Sequence, residues 1–311
     1  MAEEATTPPA HFYGGQAVVE GVMMRGRDVW AVAVRRPAGD LHIESHDIDS
    51  VAKRHPALAK PFIRGVIALG QALAIGFRAL SVSARESVPE DERLSSRQMG
   101  MSMAIAAVIF IGLFVVLPAV AFRWVGKSVD SSILVNALEG VFRVALFLGY
   151  LLLIGRTKDI RRVFQYHGAE HKTIAAYEHE EPLVPERVDG YSTLHVRCGT
   201  NFLFNVLFLT IFVGLALDFL LPHVLLLRVA ARVVVIPLLA AFGYEIIRAA
   251  SRDERSLVFR VASLPGLALQ KITTRAPDRA QIEVAIRALE AVVAAEALAA
   301  GVGRAGGPAH T

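Results

Sequence analysis

Residues 101–122 read MSMAIAAVIFIGLFVVLPAVAF, a run without one charged side chain. A helix needs about 20 mainly apolar residues to cross the hydrocarbon of a bilayer. The alternative is a buried helix of a large soluble core, but uncharged runs of this length are uncommon in soluble folds. The stretch therefore reads as a transmembrane helix, and it sets the frame for the rest of the chain. The composition agrees: 54% of the residues are hydrophobic and 20% are charged, whereas a soluble domain carries roughly 25% charge.

Three further blocks share this character. Residues 133–155, ILVNALEGVFRVALFLGYLLLIG, are interrupted only by Glu139 and Arg143. These sit four apart on one helix face and pair most simply with each other. Residues 202–217, FLFNVLFLTIFVGLAL, precede Asp218, and residues 233–244 read VVVIPLLAAFGY. The sequence thus predicts four transmembrane helices near 101–123, 134–155, 202–221 and 229–248. Lys and Arg number 12 before the first span, 7 between the second and third, and 9 from Arg248 onward. The other two loops carry 2 each: Arg123 and Lys127, then Arg228 and Arg232. The positive-inside rule then places both termini and the 156–201 loop in the cytoplasm of a multi-pass inner-membrane protein. The start, MAEEATTPPAH, has no apolar core and does not read as a signal peptide. No basic patch with interleaved aromatics points to nucleic acid, so the lipid bilayer is the partner the composition predicts. Membrane-protein partners and oligomers are compatible with it.

Outside the spans the chain changes character. After a disordered start, 1–11, residues 12–60 form a β-rich segment. WAVAVRR and LHIESHDI flank the turn residues Pro37–Asp40. Within 61–100, the apolar stretch 61–84 carries Arg64 and Arg78 and suits a helix lying in the membrane interface. A charged linker follows it. Residues 101–155 and 202–248 hold the two pairs of spans, separated by the 156–201 loop. In the 249–300 region a helix follows Asp278, with Gln281 completing a capping box, and 301–311 form a disordered tail. The fold class is an α+β membrane protein.

Within the loop, FQYHGAEHKT (164–173) holds His167, Glu170 and His171 in an H-x-x-E-H arrangement. Two imidazoles at i and i+4 can hold one metal from one helix face. The adjacent carboxylate can take a proton from water that the metal activates. His195 and Cys198 precede the third span, and Glu245 sits at the end of the fourth. All are ligand types placed on the same membrane face. A bland reading stands beside each: Cys198 as a small buried apolar group, Glu245 as the partner of Arg248 or Arg252, Glu20 as an edge acid paired with Arg25 or Arg27. If the second span ran on as a helix, it would carry His167 about 18 Å beyond Gly155, so the chain must bend, for instance at Gly168, if the ligands are to meet.

Taken together, YGGQAVVEGVMMRG, IRGV (63–66), YHGAEHKTIAAYE, LHVRCGTNFL, GYEIIR and LPGLALQKITTRAPDRAQIEVAI resemble the YqhQ-like membrane proteins. The resemblance covers roughly residues 12–292. This is a bacterial family of unknown function, loosely described as metal-dependent enzymes. It implies roles for Glu20, Arg25, His167, Glu170, His171, Lys172, Glu178, His195, Arg197, Cys198 and Glu245. One departure is LHVRCG where LHPRCG is expected, and it leaves every candidate ligand in place.

The expectation is a divalent metal, zinc being favoured because His, Cys and Glu all suit it, in a hydrolytic site at the cytoplasmic face. His167 and His171 would be ligands, with a third from His195, Cys198 or Glu245. Glu170 would be the base, Lys172 or Arg197 would stabilise an anion, and Glu20 is a further candidate. A second reading is a non-catalytic scaffold or assembly factor with a closed structural metal site. A transporter is a third reading, for which four spans are few.

Overall fold

The computed structural model describes residues 13–49, 54–55, 58, 60–126, 129, 131–221, 224–250 and 257–305. Its centre is a four-stranded antiparallel meander: β1 (Gly14–Val18), β2 (Gly21–Arg25), β3 (Val29–Arg35) and β4 (Leu41–Asp47). The expected hairpin across Pro37–Asp40 forms, and a second one forms before it. Val18 pairs with Gly21 across the first turn, and Arg35 pairs with Leu41 across Pro37–Asp40. Glu20 takes a positive φ of 51° to close the first turn.

Strand periodicity of two sends alternate side chains to opposite faces. Val22, Met24, Val29, Ala31 and Ala33 face one way; Val18, Met23, Trp30, Val32 and Val34 face the other. Both faces are covered, so β2 and β3 read as nearly continuous apolar runs.

Helix α1 (Ile63–Glu86) covers the second face with Ile75 and Ala79. Glu86, at its end, is buried against Arg36, Arg85 and Arg93, which anchors the following linker to the sheet.

Two long apolar helices follow, α2 (Ser96–Val125) and α3 (Ser132–Ile154). A π turn at Gly112–Val116 lies inside α2, just ahead of Pro118. Proline has no N–H and crowds the carbonyl four residues back, and a widened turn relieves both effects.

The chain then turns back within Gly155–Thr157 and enters α4 (Lys158–Glu178). The bend that the candidate ligands require is thus made here. Gly155 lies against the Phe164 ring. Gly168, the position expected to bend, lies inside a continuous helix. It is a crossing point instead: a Cβ there would run into the carbonyl oxygen of Arg275.

A short turn, α5 (Pro185–Val188), leads through an irregular segment to α6 (Gly199–Leu220), α7 (Leu225–Ala250), α8 (Leu257–Thr273) and α9 (Arg279–Ala305). The capping box at Asp278 and Gln281 forms reciprocally, at 2.8 and 3.0 Å. From there Ile282, Ala285, Ile286, Leu289 and Val292 make one apolar stripe. With Tyr166, Ala169 and Ala176 of α4, this stripe closes the first face of the sheet. The head is therefore three layers, α1, sheet, and α4 with α9. Residues 1–11, expected to be disordered, lie outside the described residues; of the tail expected to be disordered, 301–311, residues 301–305 instead continue α9 and 306–311 lie outside the described residues.

Among the described residues three helices are long and apolar enough to cross a membrane: Ile63–Glu86, Ser96–Val125 and Leu134–Ile154. The last two match the expected first and second spans. The first falls on the segment expected to lie in the interface. The expected third and fourth spans fall on α6 and α7, whose described apolar stretches, Asn205–Gly214 and Val233–Glu245, are shorter.

Candidate metal centre

Helix α4 presents two faces. Tyr166, Ala169 and Ala176 pack on the sheet. His167, Glu170, His171, Ile174 and Glu178 recur at helical spacing along the adjoining side. The rings of His167 and His171 lie with centroids 4.4 Å apart.

Each imidazole is oriented from behind. His167 Nδ1 donates to the Thr273 carbonyl at 2.9 Å, and His171 Nδ1 donates to the Thr193 carbonyl at 2.6 Å. A carbonyl only accepts, so in both neutral rings the proton sits on Nδ1 and the Nε2 lone pair is free. His167 Nε2 faces Cys198 Sγ at 3.2 Å. His171 Nε2 is buried and has no hydrogen-bond partner among the described residues. The ligand atoms of His167, His171 and Cys198 all lie within 4.8 Å of one another.

Cys198 is the N-cap of α6, its sulfur accepting from the Thr200 N–H at 3.4 Å. Burial, with the Glu170 charge adding to it, pushes the thiol up to about 11. Burial holds both histidines below the ordinary imidazole range, His171 down to about 2, with the charge of His167 second in effect. All three groups are thus neutral, close together and poorly solvated.

A buried, unpaired imidazole nitrogen is costly. Carbonyl-oriented histidines beside a thiol are the donor set of a soft or borderline divalent cation. The residues present fit such an ion.

Glu170 is 4% exposed. Burial raises its carboxyl to about 8, and the Gly15 N–H opposes that shift by donating to it. A Cβ on Gly15 would lie 2.9 Å from the Glu170 carboxyl carbon and 2.7 Å from the Met23 carbonyl. Only glycine lets β1 approach α4 this closely.

A cavity of about 240 Å3 opens beside these groups. Its walls include Gly15 and Arg25 from the sheet, Ala72 and Ile75 from α1, and Glu170 and His171 from α4. His195, Arg197 and Cys198 close it from the irregular segment. The Gln270 side chain holds His195 by both backbone groups, at 2.8 and 2.9 Å. The His195 ring lies 5.7 Å from that of His171, with Nε2 3.4 Å from Glu178. Arg197 also pairs with Glu178. Burial alone would raise the Glu178 carboxyl, but the His195 hydrogen bond and the Arg197 charge outweigh it and hold it below the usual range.

The structure therefore brings together His167, Glu170, His171, His195, Arg197 and Cys198. Three candidates stand elsewhere. Glu245 is bound by Arg64 through both carboxylate oxygens. Glu20 pairs with Arg162 and accepts from the Tyr166 hydroxyl at 3.2 Å. Lys172 donates to Asp189, to its carbonyl and, at 2.9 Å, its carboxylate.

Sequence reasoning missed Gly15, Thr193, Gln270 and Thr273. The Gly14–Gly15 pair was a signal for close backbone approach. The others act through backbone carbonyls or an ordinary amide, and nothing in the sequence marks them.

The model of a family described as a protein of unknown function, DUF1385, matches residues 60–295. The chain is similar to the Uncharacterized protein YqhQ of Bacillus subtilis (strain 168), with 35% identity over 311 residues and 94% of each chain covered. No solved structure matches. The resemblance seen in the motifs thus extends over the length of the chain, which belongs to the YqhQ-like family of DUF1385 proteins.

Proposed function

We propose that the cavity is the active site of a metal-dependent hydrolase at the cytoplasmic face of the membrane. His167, His171 and Cys198 would hold the ion, and zinc suits this donor set best. The observation that carries the reading is the buried Nε2 of His171, unpartnered among the described residues and converging with His167 and Cys198 beside an open cavity. Three protein donors with room beside them match a catalytic site better than a closed structural one. When bound, the ion would supply Lewis acidity for activating water at neutral pH. Glu170 is the group placed to accept a proton there, since it shares one face of α4 with both histidines and lines the cavity. Arg197, fixed by Glu178, offers positive charge to an anionic substrate group.

The topology we propose keeps four spans, on α2, α3, α6 and α7, with α1 in the interface. Two observations support this placement of α1. Its inner side, Ile75 and Ala79, belongs to the sheet core. Its outer side exposes Ile63, Val66, Leu73 and Phe77.

One observation favours a second reading, a scaffold with a structural metal. The Gly15 bond to Glu170 is also what a clasp between β1 and α4 would need. Glu170→Gln separates the two. The amide keeps the shape and accepts the Gly15 N–H but cannot act as a base. As catalysis, the variant should keep its metal and lose activity in a complementation assay, since a general base contributes about 10²–10⁴-fold. Full complementation with metal retained would leave the scaffold reading standing.

A further inference from the structure

We propose that Arg25 is an anion anchor in the cavity, and that it takes the phosphate headgroup of a membrane amphiphile. The inference rests on the cavity being the reaction site and adds the class of substrate.

Arg25 lines the cavity from the end of β2, as Glu170 and His171 do from α4. Its guanidinium is partly buried and donates to the Gln71 side-chain oxygen at 3.2 Å. Among the described residues no carboxylate lies within ion-pair distance of it. The nearby Arg197 differs in being already paired, with Glu178. A partly desolvated guanidinium facing an open space is stabilised by an arriving oxyanion, which it can grip through two parallel N–H bonds. The cavity offers an anion a second attraction. Cys198 and Gly199 bring the N-terminus of α6, a helix of 22 residues, to its wall. The positive end of that dipole lies at the cavity wall, where it favours an anion.

Size and position specify the rest. At about 240 Å3 the cavity is below the ~300–1,000 Å3 typical of sites that enclose a drug-sized ligand. It can house a headgroup and must leave acyl chains outside. Those chains have somewhere to go. The cavity wall at Ala72 and Ile75 belongs to α1, whose other side exposes Leu73 and Phe77. Phe62, just before α1, stacks on Phe242 of the apolar helix α7. A headgroup held at Arg25 therefore lies about one helix diameter, ~10 Å, from an apolar surface suited to lipid.

The test is equilibrium binding by isothermal titration of the full chain in maltoside micelles. The probes are dihexanoyl phosphatidic acid, dihexanoyl phosphatidylcholine and glycerol 3-phosphate. Phosphatidic acid should bind, and Arg25→Gln should weaken it about tenfold or more, the scale of a lost charge-assisted bond. Arg27→Gln, which removes an exposed neighbouring charge, should leave it unchanged. Equal binding to Arg25→Gln, or equal binding of the phosphatidylcholine, overturns the anchor. Glycerol 3-phosphate binding as tightly as the lipid overturns the membrane source and leaves a soluble phosphomonoester as the ligand. Should Arg25→Gln fail to accumulate, Arg25→Lys and the wild-type preference for phosphatidic acid over phosphatidylcholine decide. Repeating the titration on chelator-treated protein and on His171→Ala separates the two readings. Metal loss with lipid binding retained tells against neither anchor nor source, whereas wild-type protein that binds lipid and never metal sinks the metal site alone.

Discussion

His167 Nε2 and Cys198 Sγ face each other at 3.2 Å across 31 residues of chain. One belongs to a helix packed on the sheet and the other to the N-cap of an apolar helix. Whatever holds this pair together also fixes the sheet-bearing head of the molecule against the apolar helix α6.

Metal content is the most direct consequence. Purified wild-type protein should carry one divalent ion, and Cys198→Ala or His171→Ala should each lose it. Glu245→Gln should not, because Arg64 occupies that carboxylate. Elemental analysis of the four proteins decides, and metal retained by both ligand variants at the wild-type level would exclude the proposed donor set.

Glu245→Gln should have its effect elsewhere. The Arg64 pair and the Phe62–Phe242 stack join the start of α1 to α7. Loss of the charge should make the segment near Phe62 more susceptible to proteolysis in micelles while α4 stays protected. Unchanged cleavage would show that the stack alone suffices.

Gly168→Ala tests the crossing of α4 by the chain after α8. The added methyl meets the Arg275 carbonyl and lies 3.2 Å from Thr193 Cγ2. Overpacking of this kind costs about 1–3 kcal/mol. Because Thr193 and Thr273 orient the two histidines, metal affinity should fall along with the melting temperature. A variant as stable as wild type, with full metal content, would show the crossing to be loose.

Sidedness is tested with single cysteines in a Cys198→Ser background. Arg187→Cys, on an exposed turn of the 156–201 segment, should resist an impermeant reagent in intact cells. Gly126→Cys, beyond α2, should react. The reverse pattern would place the cavity outside the cell and remove its access to cytoplasmic substrates.

Much of this was legible in the chain because it depends on local pattern. The His167–Glu170–His171 spacing needs only a helix, the Asp278–Gln281 box needs four residues, and the β3–β4 hairpin is read from its turn at Pro37–Asp40. What the sequence hid is set by tertiary contact. Arg64 claims Glu245 across 181 positions, a pairing that no local spacing names, while the expected partners Arg248 and Arg252 lie outside the described side chains. The bend that seats His167 lies at Gly155–Thr157, since Gly168 is needed where another strand of chain crosses. Residues 61–84 are apolar enough to span a bilayer, and only the packing of Ile75 and Ala79 against Trp30 and Val32 gives that face another use.

The stripe of α9 against β2 and β3 has a consequence for biosynthesis. Roughly 250 residues separate Val34 from Ile282, so the ribosome needs about 12–50 s between them at ~5–20 residues per second. Throughout that interval the nascent chain carries a sheet with the α9 side of its face bare, while the long apolar helices are already made. The head therefore closes last. A nascent chain stalled before Ile282 would present an open apolar sheet to chaperones.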